Sequence, residues 1–387
     1  MNNPIGPLTA ADEGFTHQVA DTFASVGTSD LAWTEKVCAM AAASDGSLQL
    51  GFGLGKYANR NVMDCYAGVS RGKEQMTVRA SRRLSDDREL LGGGPIRYEV
   101  LEPLRTIRFS LEPNDVVPIS FEWIFEAALP CLMEDRTHNR TAAGARVAAE
   151  LVRYHQIGVC SGWVEVDGER TELHPDTWVS TRDHSWGVRY DVGTPPTDLE
   201  PGGALDGGTF QFIWSPVLME RPDGSRYGLF LNVSHIARQG FQQRLTTGLV
   251  EHPDGHTDTI AEVEFDLAYD PVNRRMRGGR LECTMADGSA RPLQVEVLSD
   301  TGFHLGAGLY FGFDGHHHGE WRGPLVVEGE RIDDCTTAEN ARRLHQIRDT
   351  VVRVTDPVGG GVGVGNMQPI VTGAFPHLGL DAESSFI

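Results

Sequence analysis

Residues 180–191, STRDHSWGVRYD, place acids, an imidazole, an indole and two guanidinium groups within one short segment. In a β-strand, alternation predicts that Arg182, His184 and Trp186 share one face and that Asp183 lies on the other. Histidine and tryptophan pointing together into a barrel would form an apolar pocket with one proton-transfer group. We expect His184 to carry a proton, Asp183 to orient it or to be the acid, and Trp186 to line the pocket. The alternative is a structural role, in which these side chains form a buried polar network that joins two domains.

A second cluster, GFDGHHHGEWRG, spans residues 312–323. His316 and His318 would share a strand face with Glu320, and these three residue types are common metal ligands. The acid follows the second histidine more closely than cupin-like spacing requires, and no third histidine lies at a recognisable spacing. We therefore expect no metal, but a glycine-bounded turn whose His318 and Trp321 face the same pocket as the first cluster.

Two smaller polar pairs complete the candidate residues. In a strand, Tyr154 and Gln156 share a face, and both can hydrogen-bond a substrate oxygen. Trp33 and Glu35 have the same spacing near the start of the chain. Hydrogen bonding within a barrel explains either pair as well as substrate binding does.

The glycine-rich segment at residues 356–369, DPVGGGVGVGNMQP, is similar in composition to a nucleotide-binding loop. It lacks the Gly-Lys-Ser/Thr ending of a P-loop, and no amphipathic helix follows it to complete a dinucleotide fingerprint. A glycine-rich strand or bulged edge is the better prediction, and no cofactor is expected.

Most of the chain has the period-two alternation of β-strands. In SLQLGFGLG, Leu48, Leu50, Phe52 and Leu54 share one face. Asp-Gly pairs, which tolerate the positive φ of tight primed turns, predict hairpins in VEVDGERTEL, MERPDGSRYGLFLNV and CTMADGSARPLQVEVL. Many short antiparallel strands closed by such turns indicate an all-β protein of barrels or sandwiches.

Helical patterns are few. Residues 140–154 are rich in alanine and predict one short helix. Residues 336–350 predict another, with a capping box from Thr336 to Glu339 and an apolar face that includes Ala341 and Leu344.

The length and composition of the chain indicate how many domains it has. A chain of 387 residues suggests two domains, and the Pro/Gly-rich segment after the first cluster is the best linker. We predict an arm over 1–30, a first domain over 31–191, a linker over 192–208 and a second domain over 209–387.

The formal charge of −20 opposes binding to nucleic acid and anionic membranes. Six scattered cysteines, no signal peptide and no long apolar run favour a reducing cytoplasm and no integral membrane segment.

The motif STRDHSWGVR, with RYHQIGVCSGWVEVDGE before it, resembles the signature region of the carotenoid 1,2-hydratase (hydroxyneurosporene synthase) superfamily, in particular a less characterised bacterial branch. LAWTEKV, PLRTIRFSLE and HGEWRG add to the resemblance, which runs in patches from about Trp33 to Gly365. It implies two lipocalin-like domains in tandem and catalysis of apolar substrates without metal, redox cofactor or nucleotide. His184 and Trp186 match the histidine and tryptophan of the D-H-x-W-G motif.

In carotenoid hydratases, an acid on the next strand protonates the alkene. The equivalent segment here, TFQFIWSP, offers Gln211 and Trp214 but no carboxylate, and so departs from carotenoid hydration itself. The predicted substrate-binding residues are Arg182, Tyr154, Gln156, Trp33, Gln211, Trp214, His318 and Trp321.

The sequence thus favours a cofactor-independent hydratase or dehydratase, isomerase or cyclase. Its substrate would be an apolar, isoprenoid- or steroid-like molecule held between two β-barrels. The alternative is a non-catalytic carrier of a lipophilic molecule. The expected partner is that small molecule, with a homodimer as a further option.

Overall fold

The computed structural model of the protein describes residues 10–15, 17–18, 20–85, 90–140, 146–198 and 207–387. Parts of the predicted N-terminal arm and linker lie outside these residues. The described chain is almost entirely antiparallel β-structure with one short α-helix, which confirms the all-β prediction.

The first half of the chain builds a large antiparallel sheet. Its strands in chain order, β1 to β13, are Trp33–Ala43, Gln49–Tyr57, Val62–Arg71, Glu74–Arg83, Gly92–Gly93, Ile96–Glu102, Thr106–Leu111, Ile119–Ala127, Leu132–Met133, Thr137–Arg140, Val147–Val166, Glu169–Leu173 and Trp178–Val188. The strand order places β1 and β11 on either side of β13. The strand with the first cluster is therefore central in its sheet.

The remaining strands form a second sheet, with one exception. In chain order, β14 to β23 are Thr209–Glu220, Arg226–Arg238, Phe241–Glu251, Thr257–Tyr269, Met276–Met285, Ala290–Val297, Phe303–His304, Leu325–Ile332, Arg348–Asp356 and Gly361–Thr372. Because β19 pairs with β22 as well as with β18, eight strands of this sheet form a closed ring, the second barrel. The exception is β21, which pairs with β4 of the first sheet.

The first sheet curls so that its two edges approach each other. Gly94, just after β5, leaves no room for a side chain because Val327 of β21 lies against it. We call this sheet the first barrel. Aromatic rings fill its interior, with Phe52 packed against Phe109 at 4.9 Å and Phe109 against Trp123 at 4.7 Å between ring centroids. Each such fully buried ring contributes roughly 1.5–3 kcal/mol to the free energy of folding.

The outer face of the first barrel packs on the second barrel. Met40 and Val179 lie with Val351 in one small apolar cluster, and Ile157 lies with Leu218 in another. Both faces of the central strands are therefore buried, one in the barrel and one between the barrels.

The three hairpins predicted from Asp-Gly pairs are present. The strand pairs β11–β12, β14–β15 and β18–β19 are each joined at the expected turn. In the first turn, Asp167 and Gly168 both have positive φ, at 54° and 81°, as a primed turn requires.

One helix prediction is wrong and one is too long. Within residues 140–154, the described part beyond 146 belongs to β11, because its backbone pairs in register with β13 and β10. Residues 141–145 lie outside the described chain. The second helix, α1, spans only Ala338–Leu344. Its cap is Thr337, which accepts a hydrogen bond from the Asn340 amide, and not Thr336. The chain then enters strand β22, which the second barrel requires for closure.

The predicted division into domains stays a prediction. The sheet boundary lies between Val188 and Thr209, although β21 crosses from the second half of the chain into the first sheet. Four short 3-10 turns lie at Ala10–Glu13, Ala58–Arg60, Leu305–Gly308 and Pro376–Leu378. Among the described residues, no helix is long and apolar enough to cross a membrane.

Candidate active site

Strand β13 carries the first cluster, and its alternation divides that cluster between two environments. His184 pairs with Val37 of β1, a residue of the aromatic core, so Arg182, His184 and Trp186 lie on the inner face of the first barrel's sheet; Arg182 is buried there, whereas Trp186 is 36% exposed. The other face meets the second barrel, where Thr181 donates a hydrogen bond to Asn366 at 2.5 Å. We call the interior group the mouth site; it comprises Glu35, Tyr154, Gln156, Arg182, His184 and Trp186. The outer group, the interbarrel cluster, comprises Lys36, Asp64, Arg153, Asp183, Arg189 and Tyr310.

At the mouth site, both ring nitrogens of His184 have partners. Nε2 lies 3.0 Å from a carboxylate oxygen of Glu35, and Nδ1 lies 3.1 Å from the hydroxyl of Tyr154. The hydrogen bond from His184 lowers the pKa of Glu35 despite partial burial. The carboxylate that contacts His184 is therefore Glu35, whereas Asp183 lies on the opposite face.

Below His184, Arg182 closes the mouth site. The guanidinium is 1% exposed, donates to Gln156 Oε1 at 3.0 and 2.7 Å, and lies 5.4 Å from the ring of Phe125. The amide of Gln156 donates in turn to the backbone oxygen of Leu104 at 2.6 Å. These contacts link three strands and the β6–β7 hairpin, and leave the mouth site well hydrogen-bonded.

On the other face, the carboxyl group of Asp183 has no hydrogen-bond partner among the described residues. Its nearest cation is Arg153, whose Nε lies 3.9 Å away. Burial raises the pKa of Asp183, although Arg153 and Arg189 oppose this. A buried carboxyl that retains its proton more readily than usual is suited to general acid catalysis.

A chain of charges extends from Arg153 into the second barrel. Arg153 contacts Glu134 at 3.4 Å, and Glu134 accepts hydrogen bonds from Trp214 Nε1 at 3.1 Å and Asn232 at 3.0 Å. Burial opposes ionisation of Glu134, but Arg153 and His155 bring its pKa down to about 2. Strand β14 has no carboxylate beside Trp214, yet the fold supplies one from the loop after β9.

His155, buried between the barrels, has a carboxylate on each side. Its Nε2 lies 2.5 Å from Glu251, its Nδ1 lies 3.6 Å from Glu134, and its ring stacks on Phe230 at 3.6 Å. Burial alone would lower the pKa of His155, but the two carboxylates raise it to about 9. This side chain is therefore an imidazolium that ties the two barrels together.

A third group surrounds Lys36 of β1. Its Nζ lies 3.0 Å from Nδ1 of His318 and 3.7 Å from the ring centroid of Tyr310. The hydroxyl of Tyr57 contacts the same His318 nitrogen at 3.0 Å. Burial lowers the pKa of Lys36 to about 7, and burial raises that of nearby Asp64 to about 6. Burial also holds the pKa of His318 well below its ordinary value, so this ring is neutral.

The structure brings most predicted residues to one of the two sites. Arg182, His184, Trp186, Tyr154 and Gln156 meet at the mouth site. Asp183 and Trp214 lie between the barrels, whereas His318, in the segment between β20 and β21, lies against Lys36 and Tyr57 on the outer face of the first barrel. Three residues lie outside both sites: Trp33 begins β1 opposite Val188, Gln211 pairs with His235 and Val371, and Trp321 is exposed beside Arg83.

The histidine-rich segment forms turns and no regular strand. His316 contacts Glu320 at 3.3 Å, whereas His318 points into the protein interior. Within the described part of the chain, no three His, Cys, Asp or Glu side chains come together as metal ligands.

Sequence reasoning missed Lys36, Asp64, Arg153 and Tyr310. A signal existed for the first of these, because Lys36 shares its strand face with the apolar Cys38, Met40 and Ala42. Two surface depressions, of about 690 and 610 Å³, include none of the residues of either site.

The protein is an all-β protein of two antiparallel barrels, with a buried cluster of titratable side chains between them. The chain belongs to a family of unknown function (DUF8625), whose model matches residues 8–381. No curated protein matches the sequence.

Three solved structures resemble the protein. A candidate AttH from Nitrosomonas europaea shares 14% identity with a TM-score of 0.51, over 87% of this chain and 91% of that one. CghA shares 13% identity with a TM-score of 0.48, over 87% of each chain. Kievitone hydratase from Nectria haematococca shares 8% identity with a TM-score of 0.41, over 94% and 95%. The likeness to the first structure is one of fold alone, and the other two are too distant to support more.

Proposed function

We propose that the protein is a cofactor-independent enzyme that performs acid/base chemistry on an apolar, isoprenoid- or steroid-like substrate between its two barrels. Addition or removal of water is the reaction that the groups suit best, with isomerisation or cyclisation as further outcomes of the same proton transfer. The observation that carries this proposal is Asp183, a buried carboxyl with a raised pKa and no hydrogen-bond partner among the described residues.

A substrate needs an internal space next to Asp183. The partial accessibility of the surrounding side chains supports such a space. The side chains of Arg153 and Asp183 keep 22% and 12% of their surface accessible, and Tyr310 is half-buried. Burial raises the pKa of Tyr310 well above its ordinary value, which agrees with a hydroxyl that is largely removed from water. We infer an internal chamber lined by these three residues.

In this chamber, Asp183 would act as the acid. Protonating an alkene or a leaving hydroxyl requires a proton donor that is not already held by a neighbouring acceptor. Arg153 and Arg189 then offset the charge that the carboxylate gains.

His184 and Trp186 take a different part in this proposal. Both nitrogens of His184 are engaged at the mouth site, so we assign it to positioning β13 through Glu35 and Tyr154. The resemblance of the motif to the carotenoid 1,2-hydratase superfamily supports an apolar substrate, while the absence of a carboxylate between Thr209 and Met219 of β14 argues against carotenoid hydration.

The test starts from protein purified from its own host. Native mass spectrometry identifies the bound compound, which is then incubated with wild type, Asp183→Asn and the exposed control Asp176→Asn. We expect wild type and the control to convert the compound and Asp183→Asn to fail while it remains folded. Equal conversion by Asp183→Asn would exclude Asp183 as the acid.

The second candidate function is transport of a lipophilic molecule. It is favoured by β14, which carries no carboxylate between Thr209 and Met219. Because Phe52, Phe109 and Trp123 fill the first barrel, the cargo would occupy the interbarrel chamber. Recovery of the compound unchanged after incubation with wild type supports transport over catalysis.

A further inference from the structure

Lysine is rare in this chain, and one lysine is buried. Of the 34 lysine and arginine residues, three are lysines, at positions 36, 56 and 73. Lys36 is only 3% exposed. Arginine keeps its proton in proteins, whereas a buried lysine can lose it. In a chain that otherwise relies on arginine, this buried position therefore holds a cation that can become a neutral amine.

The contacts of Lys36 stabilise its ammonium form only weakly against the cost of burial. Within the described residues, no carboxylate oxygen lies within 4.0 Å of Nζ, and its close contacts are the ring nitrogen of His318 and the face of Tyr310. Neither contact supplies a full negative charge to hold an ammonium ion. The pKa of about 7, set mainly by burial, agrees with this geometry.

Register places Lys36 beside Asp183 on the interbarrel face. In the β1–β13 pair, Lys36 lies opposite Ser185, and Cys38 lies opposite Asp183. Lys36 and Asp183 are therefore diagonal neighbours, with about 7–8 Å between their positions. Arg189 donates to the hydroxyl of Ser185 at 2.8 Å, which places a guanidinium next to both side chains.

We propose that Lys36 is the base that complements Asp183, and that the substrate is a β-hydroxy carbonyl compound or the corresponding enone. This rests on the proposed function and names its second catalytic residue and substrate class. In dehydration, the Lys36 amine takes the proton from the carbon next to the carbonyl. The electrons of that C–H bond form the C=C bond, the C–O bond breaks, and Asp183 protonates the departing hydroxyl to give water. Proton transfer back from Lys36 to Asp183 restores both groups, and hydration is the reverse.

The protonation of Lys36 depends on every element packed around it. The titratable and charged groups that face it are Cys38 on its own strand, Tyr57 of β2, Asp64 of β3, Asp183 of β13, and Arg189, Tyr310 and His318 from the connecting segments. Of these, Asp64 and Asp183 favour the ammonium form and Arg189 favours the amine.

The first test needs no ligand. NMR of the full-length protein labelled with [13Cε]lysine gives three lysine signals, which Lys56→Arg and Lys73→Arg assign by elimination. We expect the remaining signal, that of Lys36, to titrate near pH 7 and the other two near the ordinary lysine pKa of about 10.4. Titration of all three signals near 10 would overturn the proposal. Lys36→Arg, if it folds, should remove the low-pH signal.

The second test separates the two catalytic residues. β-Hydroxy ketones from 4-hydroxy-4-phenylbutan-2-one up to steroid size are incubated in D2O, and both deuterium uptake next to the carbonyl and formation of enone are followed. We expect wild type and Lys73→Arg to do both, Asp183→Asn to keep deuterium uptake but lose enone, and Lys36→Met to lose both by at least about 100-fold.

Two results count against the inference. Deuterium uptake by folded Lys36→Met at the wild-type rate would exclude Lys36 as the base. No uptake by wild type with any ketone would exclude the substrate class. The proposed function is judged separately, from the compound recovered from the host and its conversion by Asp183→Asn.

Discussion

The two faces of strand β13 differ in how completely their polar groups are satisfied. On the mouth face, His184 has a partner at each nitrogen and Arg182 is bound by Gln156. On the interbarrel face, Asp183 has no hydrogen-bond partner among the described residues and lies 3.9 Å from the nearest cation. Buried polar groups in proteins are normally hydrogen-bonded, so an exception calls for an explanation. This difference underlies our proposal that His184 positions the strand and that Asp183 performs the chemistry.

The largest expected effect is on turnover of the compound recovered from the host. Asp183→Asn removes the proposed general acid, a kind of group that typically contributes 10²–10⁴-fold, so we expect a loss of at least about 100-fold. His184→Gln keeps a hydrogen-bonding side chain at the mouth site and should cost less than about 10-fold. Steady-state rates of the two folded variants decide the comparison. A larger loss in His184→Gln would reverse the assignment of the two faces.

A second effect concerns the charges that join the barrels. Glu251→Gln leaves the buried imidazolium of His155 with Glu134 at 3.6 Å as its remaining carboxylate. We expect a loss of about 3 kcal/mol in the free energy of unfolding, measured with urea. The control is Glu264→Gln, because the exposed Glu264–Arg244 pair should contribute no more than about 1 kcal/mol. Equal losses in the two variants would show that the buried pair is no more stabilising than a surface one.

The same imidazolium makes the junction of the barrels sensitive to alkaline pH. The pKa of His155 rises from an ordinary 6.5 to about 9 on folding, so its stabilisation is complete below pH 6.5 and is lost as the pH rises through 9. The stability difference between wild type and His155→Gln should therefore shrink over this interval. Because Lys36, with a lowered pKa, acts in the opposite direction, the difference between the two proteins is the quantity to measure. A constant difference from pH 6 to 9.5 contradicts the raised pKa.

The smallest expected effect is on the free energy of unfolding, and it should have opposite signs for substitutions on the two faces of β13. A folded pKa raised above the unfolded value makes ionisation of Asp183 unfavourable for stability at neutral pH. Asp183→Asn should then stabilise the protein by about 1 kcal/mol, at the expense of activity. His184→Gln should destabilise it by about 1 kcal/mol, through its partly exposed hydrogen bonds. Thermal unfolding at pH 7 tests the signs, and destabilisation by both variants would remove the distinction.

The sequence by itself determined the secondary structure of most of the chain and the two faces of β13. Alternation depends only on neighbouring residues, and Asp-Gly turns depend on local φ, so both are visible without the fold. Local propensity misled at residues 140–154, where alanines suit a helix but pairing with β13 and β10 fixes a strand. The pattern of residues 182–186 separated His184 from Asp183 but could not show which face met the second barrel.

Only the tertiary structure decided what each polar residue contacts. Lys36 and His318 are 282 residues apart in sequence and 3.0 Å apart in space. Glu134 reaches Trp214 from a loop that no motif marks. Burial between the barrels, and not residue type, raises the pKa of Asp183 and lowers that of Lys36. Desolvation and long-range pairing are properties of the packed chain. The sequence therefore indicated which strand carries the candidate site, whereas only the packing showed which residues form it.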